Sequence, residues 1–519
     1  MLQKQIRISK NTTIFLLLFL ISFWIFLFSS DAHRFTIDEH HAQQQSLRIA
    51  LMEPDPRFIQ GESKPLFHTP NMNPFDRGTP CNIGILCYPV TIGHSITQVP
   101  FIVLNNNFKI ISENTVTWNI DDFTDRHYVF WRNSIDPNFT FLELFYGPLF
   151  VSLSTGIIFL ICRTYDFNSK TSIIISLLYG LTTTAWAYSN TSLNVVPVMF
   201  FLLWGFLYYR KFRKNPSNIN LILCGFLLGF SFLVRNDAVL FIIPIFVFLL
   251  YDFITRKIPI QNFISFIVPA ILFYYLYKTI DSLRFSSSTI TMTNSIEETT
   301  SIFSALIINI NHIPVGLYGL FLSPGVGLFV FSPILFTIFF SFPDFYKKHK
   351  LDSILFLSII LFVALEYSYF DTWHGLTSWS ARYVQIIIPF LIIPLGASIE
   401  YRSKSIIFPI IVILGGLGVF INLLYVTQDV AWFVWSRPGI GEGLYGLADP
   451  SIPLYIHPAT IWTFQFSQLT HSFFLVLNNF QPDIFLLKFF GPLIFTFVLI
   501  IPLFIMGIIL LKTQTSKSY

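Results

Sequence analysis

Apolar runs long enough to cross a membrane recur along this chain from residue 12 to residue 511, and that recurrence constrains the fold more than any other feature. A run of about 18 or more residues with few charges spans a bilayer as a helix, because a backbone in hydrocarbon must satisfy its own polar groups. About twelve candidate spans follow in order: 12–30, 142–162, 171–188, 195–209, 221–234, 238–253, 263–280, 317–340, 354–369, 384–399, 405–426 and 485–511. Composition agrees. Of 519 residues 53% are hydrophobic and 12% charged, and the mean hydropathy is +0.63, whereas a soluble domain carries about 25% charge. The class is therefore an all-α polytopic membrane protein. A net charge of +4 over such a length gives no footprint for nucleic acid.

The charges orient the chain. Lys4, Arg7 and Lys10 precede the first run, which is about 19 residues long and is followed by no small-residue cleavage site. A retained first helix with its basic end in the cytoplasm is the expectation, a cleaved signal peptide the alternative. Threading from there puts the basic loops 163–170, 210–214, 256–257, 347–350, 402–404 and 512–517 on one side, where the positive-inside rule wants them. The expected product is a multi-pass cell-membrane protein with both termini cytoplasmic. It divides into a tail and first helix (1–30), an outer loop (31–141), a membrane core of about ten helices (142–426), a second outer loop (427–484), and a last helix with its tail (485–519).

The first outer loop opens on Asp38-Glu39-His40-His41, with a helical stretch expected to reach Leu51. Prolines 54, 56, 65, 70, 74, 80 and 89 then disfavour long helices, and the apolar patches 88–91 and 99–104 suit short strands or segments lying on the membrane. Cys81 and Cys87, with five residues between them, form a local disulfide or stay as two thiols; neither sits in a set that reads as a zinc site. Cys162 and Cys224 fall in apolar runs as packing residues. Tryptophans 432, 435 and 462 with Tyr445 and Tyr455 suit the second outer loop to the headgroup layer.

Three clusters carry candidate chemistry, all on the expected outer face. Asp38 and Glu39 lie just past the first span; they read either as the acidic first turn of a helix or as a base taking the proton of an attacking hydroxyl. Arg235-Asn236-Asp237 interrupts a 33-residue apolar stretch, 221–253, so the turn sits slightly below the surface. It reads as a capped polar turn or as an Arg lining a cavity and meeting a lipid-linked phosphate. Trp373-His374-Gly375 through Trp379, Arg382 and Tyr383 reads as an aromatic belt or as part of the same cavity, and Glu366 nearby needs a partner such as Arg382. Adjacent His40 and His41 would point apart. Ser323-Pro324-Gly325-Val326-Gly327 breaks an apolar run, so its backbone must be buried in protein or line a cavity.

These features together resemble the GT-C glycosyltransferases, the group that includes protein O-mannosyltransferases and aminoarabinose transferases. The resemblance rests on one span followed by an outer loop opening with Asp-Glu, on about ten further spans, and on three stretches: LLGFSFLVRNDAVLFIIP (227–244), GLFLSPGVGLFVFSPIL (319–335) and DTWHGLTSWSARYVQIIIPFL (371–391). It implies a GT-C-like bundle of about twelve helices with a large mixed first outer loop, and an inverting hexosyltransferase. The donor would be a polyprenyl-phosphate sugar, the acceptor a protein, lipid or glycan at the outer face, with a divalent metal left open. Asp38 would be the base with Glu39 beside it. Arg235, Asp237, His374, Arg382 and Tyr383 would serve the lipid phosphate, and one of Asp121, Asp122 and Asp125 would be a second acidic site. The long Pro-rich insertion departs from the compact first loop of some members. A transporter or flippase of lipid-linked glycans, or a non-catalytic membrane protein, are the competing readings. A flippase would want charges buried mid-span, and most spans here have none.

Overall fold

The computed structural model describes residues 9–34, 36–53, 88, 90–108, 137–284, 312–370, 373–375, 378–402, 404–428, 458–478, 480 and 482–515. The described secondary structure is all helical. The first helices are α1 (Lys10–Phe28), α2 (Ile37–Leu51), α3 (Ile92–Phe108), α4 (Pro137–Thr164), α5 (Ser169–Thr182), α6 (Ala185–Tyr188), α7 (Val195–Lys214) and α8 (Asn218–Val234). Next come α9 (Val239–Ile254), α10 (Ile260–Arg284), α11 (His312–Leu322), α12 (Leu328–Phe331), α13 (Ile338–Lys348) and α14 (Lys350–Ser368). The last are α15 (Ile388–Ile392), α16 (Leu395–Tyr401), α17 (Lys404–Val426), α18 (Pro458–Trp462), α19 (Gln468–Asn478) and α20 (Phe485–Thr515).

Nine described helical segments are long and apolar enough to cross a membrane, and each coincides with an expected span. The three other expected spans are the informative ones. Residues 221–234 fall in α8, short because Arg235 ends it in an extended conformation. Residues 171–188 break after α5, where the hydroxyls of Thr182 and Thr183 bond back to the carbonyls of Leu178 and Tyr179, both at 2.6 Å. Such back-bonding competes with the helix ladder. Thr184 is then held by the Ser332 hydroxyl (2.9 Å, to its N–H) and by Gln385 (2.6 Å, from its hydroxyl). Residues 317–340 break at Ser323–Gly327 as the Pro and Gly required. The freed backbone is satisfied within protein: Gly325 N–H donates to Ile461 O (3.0 Å), Ala381 N–H to Val326 O (2.8 Å), and Gln468 Nε2 to Gly325 O (3.0 Å).

One local alternative fails. Of the two readings of residues 99–104, a short strand or a segment lying on the membrane, the strand is excluded: they lie inside α3, and no strand occurs among the described residues of the first loop. The β-branched content there loses to a helical burial pattern: Ser95, Gln98, Ile102 and Asn105, spaced three or four apart, are all buried. The helix lies against α2, α4 and α8.

Burial separates centre from rim. Of the apolar window in Arg382–Tyr401 89% is buried, against 11% in Ile260–Arg284 and 6% in Phe485–Gln514, so the last two present their sides to lipid. At the centre Phe390 meets Phe206 at 5.4 Å and Phe356 at 4.8 Å, ring centroid to centroid, both edge-on as aromatic quadrupoles prefer. A Cβ on Gly225 would stand 2.2 Å from the Phe266 carbonyl oxygen, so only glycine lets α8 and α10 pack backbone to backbone.

The described parts of the basic loops gather at one end. Arg210 pairs with Asp352 at 2.5 Å, Arg213 with Asp252, Lys214 with Asp166 and Arg402 with Asp344. Lys10 Nζ reaches Gln514 O at 3.3 Å, so the start of α1 and the end of α20 lie together. At the opposite end α2 and α3 cover the core, above the turns that carry the candidate site.

Candidate active site

The site is built from the start of α2. Thr36 caps the helix: its hydroxyl accepts the Glu39 N–H at 3.2 Å, while the Glu39 carboxylate accepts the Thr36 N–H at 3.0 Å. This is a capping box, and it explains the Asp-Glu opening locally. The other Glu39 oxygen accepts the Ser192 N–H at 2.7 Å. Fully buried, Glu39 thus pins α2 to the 189–194 turn. That turn is itself tied to the end of α1, where Trp186 Nε1 donates to the Ser29 hydroxyl (2.9 Å) and Asn190 Nδ2 to Ser29 O (2.8 Å).

Asp38 differs from its neighbour. Its side chain is 50% exposed, and it accepts a charge-assisted hydrogen bond from Arg382 Nη1 at 2.9 Å. Arg382 Nη2 donates to the Tyr383 hydroxyl at 3.3 Å, and its buried Nε has no hydrogen-bond partner among the described residues. The Tyr383 ring stacks flat on Tyr367, centroids 4.6 Å apart and planes 5° apart. Arg235 Nη2 donates to the Tyr367 hydroxyl at 3.0 Å and pairs with Asp237 at 2.8 Å; the Tyr367 hydroxyl donates to the same carboxylate. The second Asp237 oxygen is buried with no hydrogen-bond partner among the described residues. Both guanidiniums lie near one ring, Arg382 at 5.1 Å and Arg235 at 5.7 Å from the Tyr383 centroid, within cation–π range.

The three clusters read separately from the sequence are therefore one array: Asp38, Arg382, Tyr383, Tyr367, Arg235, Asp237. Two like charges are thus held side by side, each with a single carboxylate partner among the described residues. Gly375 permits the arrangement. It sits at φ 78°, and a Cβ there would come 2.8 Å from Arg382 Cγ.

His374 is mostly buried beside the array; burial first, and then the Arg382 charge, push its imidazole down to about 4. Near neutral pH it offers a phosphate no charge. Glu366, expected to pair with Arg382 or share its cavity, is half-buried and makes no ion pair among the described residues; Asp38 holds Arg382 instead. The His40 and His41 rings stand 6.1 Å apart, and His41 lies against Tyr88. Cys81, Cys87, Asp121, Asp122 and Asp125 lie outside the described residues. Among the described residues no three His, Cys, Asp or Glu side chains converge as metal ligands would.

Sequence reasoning missed three contributors. Tyr367, one residue past Glu366, is the hub of the array. His94 and Gln98, one helical turn apart on α3, both bond to the Ser192 carbonyl, at 2.8 and 3.1 Å. Burial pushes His94 down to about 4, with the Ser192 carbonyl and the field of Asp38 opposing and Arg235 adding. The i, i+4 spacing of those two polar residues inside an apolar patch was the available signal. The third lies where the end of α1 meets the start of α20: His33 Nε2 meets Asp483 at 2.7 Å, Lys488 meets the same carboxylate at 2.9 Å, and Asp31 is buried beside them. Desolvation, opposed by His33 and aided by Asp483 and Glu143, raises Asp31 to about 8.

Residues 144–280 match the family model described as dolichyl-phosphate-mannose-protein mannosyltransferase. The match and the sequence resemblance name the same group, the membrane glycosyltransferases of GT-C type. The matched segment contains Arg235 and Asp237, while Asp38 and Arg382 lie outside it. A crystal structure of ArnT from Cupriavidus metallidurans bound to undecaprenyl phosphate aligns with 81% of this chain and 68% of its own, at 12% identity and a TM-score of 0.44. No curated protein matches the chain.

Proposed function

We propose that this protein is an integral membrane glycosyltransferase that moves a hexose from a polyprenyl-phosphate carrier to an acceptor hydroxyl at the outer face, with inversion and with Asp38 as general base. The supporting observation is the convergence of Asp38, Arg382 and Arg235 from three distant stretches onto one ring pair. The acceptor oxygen forms its bond to the anomeric carbon as Asp38 takes the hydroxyl proton. The bond from that carbon to the phosphate oxygen breaks, and its electron pair leaves on the carrier phosphate, which Arg382 and Arg235 neutralise. A positioned base contributes roughly 10²–10⁴-fold, and arginines suit phosphate because their planar forks donate bidentately. Asp38 serves both states: it occupies Arg382 at rest and is released toward the acceptor when the phosphate takes its place. Glu39 acts at a distance, by holding the turn of α2 that aims Asp38.

The orientation follows the same reading. The end with paired basic loops faces the cytoplasm, and the described parts of 31–141 and 427–484 lie on the opposite, outer face. The test is transfer of radiolabelled sugar from polyprenyl-phosphate donors in membranes, wild type beside Asp38→Asn. Transfer in the wild type alone, at equal expression, supports the base. Transfer in both moves the base elsewhere, and transfer in neither with any donor removes the reading.

A further inference from the structure

Arg382 opens a short 3₁₀ helix, Arg382–Ile387, and the stretch that aims it is the turn before. The described residues of 373–381 contain no helix, and Ser380 holds a positive φ of 65°, a conformation that a side chain adopts at a cost. A planar fork that must meet a phosphate tolerates little misplacement. Whatever fixes this turn therefore fixes the site.

Two distant stretches do the fixing. Val326 O, in the break between α11 and α12, accepts the Ala381 N–H at 2.8 Å and the Ser380 hydroxyl at 3.1 Å. The segment 458–468 in turn holds both the break and the turn. Gly325 N–H and the Ser323 hydroxyl donate to Ile461 O, and Trp462 packs on Trp373 with ring centroids 5.4 Å apart. Gln468, the first residue of α19 and 5% exposed, joins the two directly: its Nε2 donates to Gly325 O at 3.0 Å and to Ser378 O at 3.3 Å. A primary amide has two N–H donors, and here one goes to each stretch. Gln428 supplies the contrast. It is equally buried, and its Nε2 also donates to two carbonyls, Leu424 O and Ser472 O, both at 3.1 Å. Neither of those carbonyls lies in the turn that delivers Arg382.

We propose that Gln468 is a positioning residue for Arg382: it sets the turn so that the guanidinium meets the carrier phosphate. The inference rests on the transferase reading and deepens it. It makes α19, which follows the second outer loop's aromatic stretch, part of what builds the carrier site, through Arg382 and without contact to the carrier.

The test measures binding of radiolabelled undecaprenyl phosphate to the full-length protein in detergent. Wild type is set beside Gln468→Met, Arg382→Ala, the double variant and Gln428→Met, with thermal melting of each. Gln468→Met removes the donors at nearly constant volume; Gln468→Asn, which draws the same amide back by one methylene, replaces it should it not fold. Arg382→Ala is expected to weaken binding about 10-fold or more, the loss of a charge-assisted contact. Gln468→Met is expected to weaken it about 5-fold when Arg382 is present and not at all once Arg382 is gone, because a residue that acts through another is not additive with it. Gln428→Met is expected to lower melting as Gln468→Met does and to leave binding unchanged. An equal loss from Gln468→Met with and without Arg382 overturns the proposal, since the glutamine then acts on the fold at large. Wild-type affinity in Gln468→Met, or an equal loss from Gln428→Met, overturns it as well. A wild type that does not bind undecaprenyl phosphate, or binds it as well without Arg382, sinks the carrier reading itself and is distinguishable from the other results.

Discussion

At the basic end of the bundle three arginines hold carboxylates: Arg210 that of Asp352, Arg213 that of Asp252, which Lys257 also approaches, and Arg402 that of Asp344. At the opposite end Arg382 and Arg235 crowd around one tyrosine ring, and the aspartate that holds Arg382 is half open to solvent. Both ends use the same residue types, yet the first joins separate stretches pair by pair and the second brings two arginines to one ring. A closed pair fastens helices. Two arginines gathered at one ring are what the proposed phosphate contact needs.

The sharpest way to break this comparison is Asp38→Asn, which should cut sugar transfer by roughly 10²–10⁴-fold with carrier binding intact. Transfer at wild-type rate would leave the two ends equivalent. Arg210→Ala comes next. It strips one partner from a mostly buried pair and should cost about 3 kcal/mol of stability, seen as a lowered melting temperature. Arg382→Ala should instead raise the KM for the carrier with little change in melting, and a reversal of that pattern would reverse the assignment of the ends.

Glu39→Gln separates neighbours in sequence. Weakening the buried acceptor of two backbone N–H groups should cost about 1–3 kcal/mol in stability. A loss of activity equal to that of Asp38→Asn, without lowered melting, would give Glu39 a chemical role. A further contrast is in pH. Asp31 is protonated in the fold up to about pH 8 but ionises near 4 when unfolded. Its contribution is therefore fully present below pH 4 and is lost as pH rises toward 8, so Asp31→Asn should flatten stability across that window. A wild-type melting curve that already lacks the decline would refute the assignment. The smallest effect belongs to Lys214→Ala, whose exposed pair with Asp166 should be worth less than about 1 kcal/mol and nothing in transfer.

Much of this architecture is legible without coordinates. Apolar runs and basic loops are local properties, so nine spans and the gathering of basic loops at one end match the sequence pattern. The capping pattern Thr36-x-x-Glu39 is equally local, and it accounts for the start of α2. The strand alternative at 99–104 failed because the burial that decides between strand and helix comes from α2, α4 and α8, packed around α3 in the fold.

By itself the sequence determined that the chain is a polytopic helical membrane protein, where most of its spans begin and end, and which polar clusters stand at their outer ends. It did so because insertion into hydrocarbon is decided segment by segment. Only the tertiary structure decided that Asp38, Arg382 and Arg235 belong to one array, that Glu39 is an anchor, and that Tyr367 joins the pieces. Pairing across 130 to 344 residues depends on how helices pack against one another, and nothing in a local pattern encodes that distance.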